Sequence, residues 1–227
     1  MNISHHFDDA TLMAYASGSL PQGMALLVAC HLHWCSECRQ RVQEAEAIGG
    51  SLLTQIAPLP LDSQALDQVL ARLDLNDQDV LGDAMAEEVS AQILKPQVQI
   101  PGDIPPPLYH YLQKPLDQLP WKRLGYGAHQ LDLHLGGPGA TRLLRLAPGV
   151  SVPHHSHSGS ELTLVLRGSY TDEFGRFAAG DVADLDGEAH HQPIVDTDQD
   201  CICLIATDAP LKFSGLMGRL VQPLIGL

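Results

Sequence analysis

GVSVPHHSHSGSELTLVLRG, residues 149–168, is the stretch on which the fold turns. In an extended segment side chains alternate, so His155 and His157 point to one side of a sheet. The turn Ser158-Gly159-Ser160 reverses the chain, and Glu161 then opens an apolar run. Two imidazoles and a carboxylate thereby converge on one face, and His190 or His191, about thirty residues on, can add a further imidazole from a later strand. Three imidazoles and one carboxylate suit Zn²⁺, Mn²⁺, Fe²⁺ or Ni²⁺ and leave room for open coordination positions. The same alternation recurs from Trp121 onward. Short runs at 141–146, 161–166 and 202–205 are divided by Pro148-Gly149, Arg167-Gly168 and Ala179-Gly180, the pattern of a small all-β barrel or sandwich.

The first ninety residues read differently, as helices. Asp8 or Asp9 can cap a segment over 10–17 that Gly18 ends. Pro21 stands where a second helix begins, running through Met24, Leu27, Val28 and His31 towards Val42, with Gly49-Gly50 as its break. Asp62 or Ser63 can cap a third, with Leu66, Val69, Leu70 and Leu73 along one face. That stripe has to pack on something, and in so short a bundle the something can be a partner. Residues 74–94 are acidic and can hold one more helix. KPQVQIPGDIPPPL, residues 95–108, has five prolines and reads as a linker or an extended lead-in strand. The chain thus divides into a helical module at 1–90, a proline-rich linker at 91–112 and a β module at 113–227.

A second set of metal ligands lies in the helical part. His31, Cys35 and Cys38 fall at i, i+4 and i+7, on one face of a helix. Imidazole and thiolates together favour tetrahedral Zn²⁺, and one more donor closes the shell. His6 is the preferred donor, with His5 the alternative. Four protein ligands leave no open position, so this site is structural, tying together a bundle too small to stand on apolar burial alone. Cys30 lies off that face and reads as a small buried hydrophobe. Further on, Cys201 and Cys203 alternate with Ile202 and Leu204, so both thiols face one side of one strand. They are either core residues or an oxidisable pair near the barrel interior.

Composition bounds the function. A chain of 227 residues with 44% hydrophobic and 18% charged residues has ordinary globular make-up. The longest apolar run, residues 24–30, is too short to span a bilayer. The opening MNISHH lacks the features of a signal peptide, so the expectation is a cytosolic protein with no membrane partner. Net charge is −14, and the first ninety residues, with 3 basic against 13 acidic side chains, carry most of it. Such a surface repels phosphate backbones and argues against direct nucleic-acid binding, while it suits a basic protein partner. Composition does not decide the oligomeric state.

Leu12-x2-Tyr15-x2-Gly18-x-Leu20 followed by His31-Leu32-x2-Cys35-x2-Cys38 resembles the zinc-binding anti-sigma family over about residues 1–75. The run from Gly149 to Gly168 fits the first cupin motif at each defining position. The second cupin motif has Gly180 in place, and counting from it puts His191 at the ligand position, but Asp186 stands where a proline is expected and the glycine is at 187. The order of modules, with His5-His6 and the later Cys-Ile-Cys-Leu segment, resembles the ChrR family of anti-sigma factors. That resemblance implies a two-domain α plus all-β protein: a small zinc-stabilised helical bundle, then a cupin β-barrel (an antiparallel double-stranded β-helix). It implies Zn²⁺ on His6, His31, Cys35 and Cys38, and a second metal on His155, His157, Glu161 and His191. It further implies a repressor of an extracytoplasmic-function (ECF) sigma factor, released during singlet-oxygen or organic-hydroperoxide stress through the metal-bearing cupin. The alternative is a cupin metalloenzyme, a dioxygenase or isomerase, with a zinc-stabilised helical cap.

Overall fold

The computed structural model describes residues 2–76, 100–136, 139–157, 159–187, 189–196, 198–209 and 211–213, the side chains of 73–76, 156–157 and 211–213 excepted. Asp8 caps the first helix: its carboxylate accepts from the Thr11 N–H at 2.6 Å, and α1 (Asp9–Ala16) follows. Gly18, at φ +70°, lets the chain turn away. α2 (Gln22–Trp34) begins directly after Pro21 and buries Met24, Leu27, Val28 and His31.

The helix expected to run on towards Val42 is broken at Cys35, whose backbone is extended at φ −97° and ψ 109°. α3 (Ser36–Thr54) starts immediately after it. The break has a physical reason in the side chain. Cys35 Sγ accepts from the Cys38 N–H at 3.4 Å, so the sulfur caps α3 as a serine hydroxyl would. Gly49 and Gly50 do not end the helix but lie inside α3. A helical glycine costs only about 1 kcal/mol relative to alanine, which a long helix tolerates.

Residues 1–50 and 100–227 form one compact unit, and residues 51–99 another. In the second unit Asp62 accepts from the Gln64 N–H at 2.7 Å, and α4 (Ala65–Asn76) follows. Leu66, Val69 and Leu70 on α4 are 69%, 55% and 48% exposed, so among the described residues of this unit their apolar stripe is uncovered. The side chain of Leu73 and the further helix expected beyond residue 76 lie outside the described residues.

In the first unit, part of the segment read as linker is helical. α5 (Pro106–Leu112) accommodates Pro106 and Pro107 in its first turn, where their missing N–H groups cost nothing, and buries Leu108 and Leu112. Then come β1 (Lys122–Gly125), β2 (Ala128–Asp132), β3 (Ala140–Leu146), β4 (His155–His157), β5 (Glu161–Arg167) and β6 (Ser169–Asp172). They are followed by β7 (Gly175–Ala178), β8 (Val182–Leu185), β9 (His190–His191), β10 (Ile194–Val195), β11 (Cys201–Thr207) and β12 (Leu211–Phe213). Among the described residues these make a six-stranded sheet, ordered β1-β2-β3-β11-β5-β8, and two three-stranded ones, β10-β6-β7 and β12-β4-β9. All named pairings are antiparallel.

The large sheet is covered on both faces, which is why β5 and β11 read as almost unbroken apolar runs rather than alternating ones. On one face Leu164, Ile202 and Leu204 pack in a core with Leu27, Val28 and Leu108 from α2 and α5. On the other, Val165, Cys201 and Cys203 meet Tyr170 and Phe177 of the opposing sheet in a second apolar cluster. α2 comes so close to β3 that a Cβ on Gly23 would sit 1.8 Å from Thr141 Oγ1.

Candidate metal centres

His6, His31, Cys35 and Cys38 offer ligand atoms that all lie within 4.8 Å of one another. His6 Nδ1 is 3.3 Å from Cys35 Sγ and 3.6 Å from Cys38 Sγ, and His31 Nε2 is 3.3 Å from Cys38 Sγ. Bonds of about 2.0–2.3 Å to a tetrahedral ion give ligand separations of about 3.3–3.8 Å, so the donor set fits a metal ion. The three residues predicted to share one helical face instead reach the site from α2, from the break after it and from α3. His5 is turned elsewhere, 4.2 Å from the Phe177 ring and 3.6 Å from Asp181.

The barrel braces this site. His31 Nδ1 is 2.9 Å from the Gly180 carbonyl; the N–H there donates, which leaves Nε2 as the free donor atom for a cation. Burial pushes the His31 imidazole down to about 4, so the neutral, ligating form prevails. Burial also pushes the Cys38 thiol up to about 11, a cost that a cation would reverse. Next to Gly180, the Asp181 carboxylate accepts from the Ser4 N–H at 2.7 Å, the His5 N–H at 3.0 Å and the Ala178 N–H at 2.9 Å. Burial would raise its pKa, but these donors together outweigh it and hold the group below its ordinary value. The Asp8 N–H donates to Asp184 at 3.2 Å, so the segment carrying His6 is pinned along β8 at two points.

The second group is His155, Glu161 and His191, all buried, with ligand atoms again within 4.8 Å. β4 pairs with β9 so that His155 faces His191, which brings the two Nε2 atoms to 3.1 Å. His155 Nδ1 donates to the Pro153 carbonyl at 2.9 Å. His191 Nδ1 lies 2.9 Å from the Asp172 carboxylate, which is fully buried. Each partner fixes its imidazole with Nε2 free for an ion. Burial lifts Glu161 to about 7, against the pull of His191 and of the Thr163 hydroxyl, which donates to Glu161 Oε1 at 3.3 Å. Burial and the neighbouring His191 press His155 down to about 4. The side chain of His157 lies outside the described residues. His190 is exposed and stacks on His154, with ring centroids 6.0 Å apart. Asp172 was not legible in the sequence, where it is one more aspartate at the end of a strand with no telling interval to a histidine.

A cavity of about 260 Å³ adjoins this group inside the barrel. Cys201 and Cys203 both face it, with their sulfurs 3.6 Å apart. The Cys203 thiol is held well above its ordinary value by the hydrogen bond with Cys201 and by burial. Arg142 lies buried in the wall with Asp132 at 3.1 Å, whereas Arg145 reaches Asp200 on the outside at 2.7 Å. Among the described residues no helix is long and apolar enough to cross a membrane.

Residues 113–210 match the family of the ChrR cupin-like domain. The chain is 42% identical to the anti-sigma-E factor ChrR of Cereibacter sphaeroides over 225 residues, covering 98% of each. A crystal structure of Rhodobacter sphaeroides SigE in complex with the anti-sigma ChrR is similar with a TM-score of 0.74 and 39% identity, over 91% of this chain and 100% of that one. Two clustered donor sets, helices laid on the back of a cupin-like barrel, and likeness along nearly the whole sequence lead to one assignment: the chain belongs to the ChrR family of anti-sigma factors.

Proposed function

We infer that this protein binds an ECF sigma factor, keeps it from core RNA polymerase, and releases it when an oxidative signal, singlet oxygen or an organic hydroperoxide, reaches the barrel. The observation that carries this reading is the shared core. α2, which brings His31 to its cluster, lies on the back of β5 and β11, whose other faces carry Glu161, Cys201 and Cys203 into the lumen. A change in the lumen therefore has a short mechanical route to the helices. The relatives support the sigma partner, since the ChrR of Rhodobacter sphaeroides is bound to SigE. In this reading the protein acts in the cytoplasm, as a regulator rather than an enzyme.

In this reading residues 1–90 are the sigma-binding module, 91–112 join it to the barrel, and 113–227 form the sensor. His6, His31, Cys35 and Cys38 hold Zn²⁺ in a closed, structural site. His155, Glu161 and His191, with His157 as fourth ligand, hold Zn²⁺, or Mn²⁺, Fe²⁺ or Ni²⁺, which the same donors accept. When bound, that ion would supply Lewis-acid chemistry to the lumen that these residues line. The exposed stripe of Leu66, Val69 and Leu70, continued in sequence by Leu73, is the candidate grip on sigma. Cys201 and Cys203 are placed to be oxidised together.

Co-expression with an ECF sigma factor from the same genome tests the proposal. The expected result is a stable complex on gel filtration that blocks transcription by reconstituted polymerase. Separate elution of the two proteins at micromolar concentration would overturn it. Replacing His155, His157 and Glu161 together by alanine should leave the complex intact yet abolish its release by oxidant. To take sigma from 1:99 to 99:1 free, the two states must differ by about 5.5 kcal/mol in affinity.

A further inference from the structure

We propose that the barrel lumen is a binding site for an uncharged, mostly apolar molecule of about eight or nine non-hydrogen atoms that carries one hydroxyl, held through Gln130. The inference rests on the barrel being the sensor and names what it accepts. The cavity of about 260 Å³ has room for roughly nine water volumes of about 30 Å³ each. Its walls are mainly apolar, with Leu124, Leu144, Leu146, Val150, Val152 and Ile205 among them. Tyr126, in the β1–β2 turn, also lines it and is 92% exposed, so the chamber reaches the surface there.

One polar atom in this wall is unexplained. Gln130 is 9% exposed and lines the cavity, and among the described residues its buried Oε1 has no hydrogen-bond partner. By register Gln130 lies between Lys122 of β1, which is exposed, and Leu144 with Cys203 beyond it, and neither of those two buried neighbours is a good donor. A water there would find few of the two to four polar partners that hold a buried water. A hydroxyl on an apolar body satisfies Oε1 and covers the apolar walls at once. Away from the metal-ligand cluster, charge decides against an acid: among the described residues the lining cation there, Arg142, already faces Asp132 at 3.1 Å. A carboxylate seated at Gln130 would have to leave water without a cation of its own.

Three probes matched in size test this on the full-length, zinc-loaded protein by calorimetry: cyclohexylmethanol, methylcyclohexane and cyclohexanecarboxylate. The expected order has the alcohol binding at least tenfold tighter than the hydrocarbon and the carboxylate weakest. Gln130→Leu should bring alcohol and hydrocarbon to equal affinity while the hydrocarbon still binds. Leu144→Trp should abolish both by filling the chamber. Absence of saturable alcohol binding, a tighter carboxylate, or an alcohol preference that survives Gln130→Leu would each overturn the site. Oxidant release of sigma is measured separately. A protein that binds the alcohol as expected but never releases sigma refutes the sensor reading and leaves the site standing.

Discussion

At the scale of single residues, the second layer around each donor set matters as much as the donors. His191 lies against the buried Asp172 and His31 against the Gly180 carbonyl, and each contact selects one ring nitrogen for the site. Asp172→Ala should therefore weaken metal binding in the barrel by about 10–100-fold and leave the amino-terminal site unchanged. Competition with a chromogenic chelator reads both sites, and an unaltered barrel affinity would remove Asp172 from this role. His155 and Glu161, which the structure gathers with His191, stood out by their spacing because the turn between two strands is local, while the side chain of His157 lies outside the described residues. Asp172 was not legible from spacing, since it meets His191 only through the folding of β6 against β9. His191 was distinguishable from His190 only by register, which faces it to His155.

At the scale of elements, two of the contacts that join the amino-terminal segment and α2 to the barrel carry direct tests. The first is the Asp181 carboxylate, which gathers the N–H groups of Ser4, His5 and Ala178. Its pKa lies below the ordinary 3.8, so it adds stability that is complete above the unfolded value and is lost as pH falls through the folded one. Asp181→Ala should cost about 2–3 kcal/mol, since charged hydrogen bonds vanish and buried donors are stranded. Hydrogen exchange of residues 4–8 should speed up, and unchanged protection there would refute the clamp. The second contact is Gly23 against Thr141. Alanine is normally the better helix former, yet Gly23→Ala should destabilise by about 1–3 kcal/mol because its Cβ meets the threonine. Adding Thr141→Ala should recover most of that loss in denaturant melts. If the two changes were simply additive, the close approach would be irrelevant. The helix break at Cys35 belongs to this scale too: residues 21–42 are uniformly helix-compatible, and only the sulfur's partners make the interruption worthwhile.

At the scale of the molecule, the amino-terminal donor cluster and the barrel share a core, so an ion lost from the cluster should be felt beyond its own ligands. His31→Ala should reduce bound zinc by one equivalent per chain, as read by metal analysis, lower the melting temperature and abolish the sigma complex. A variant that lost the metal and kept full sigma affinity would show that the site does not shape the binding surface. By itself the sequence determined that a helical part precedes an antiparallel β domain, and it marked several of the residues that the structure clusters as candidate donors, because strand alternation, capping and ligand spacing are set by neighbours a few residues apart. Only the tertiary structure decided that α2 lies on the back of β5 and β11, that the proline-rich stretch ends in a helix, that His31 leans on Gly180, and that Gln130 faces an apolar chamber. Those relations join residues tens to more than a hundred positions apart, and packing two buried faces against different partners leaves no local periodicity from which they could be read.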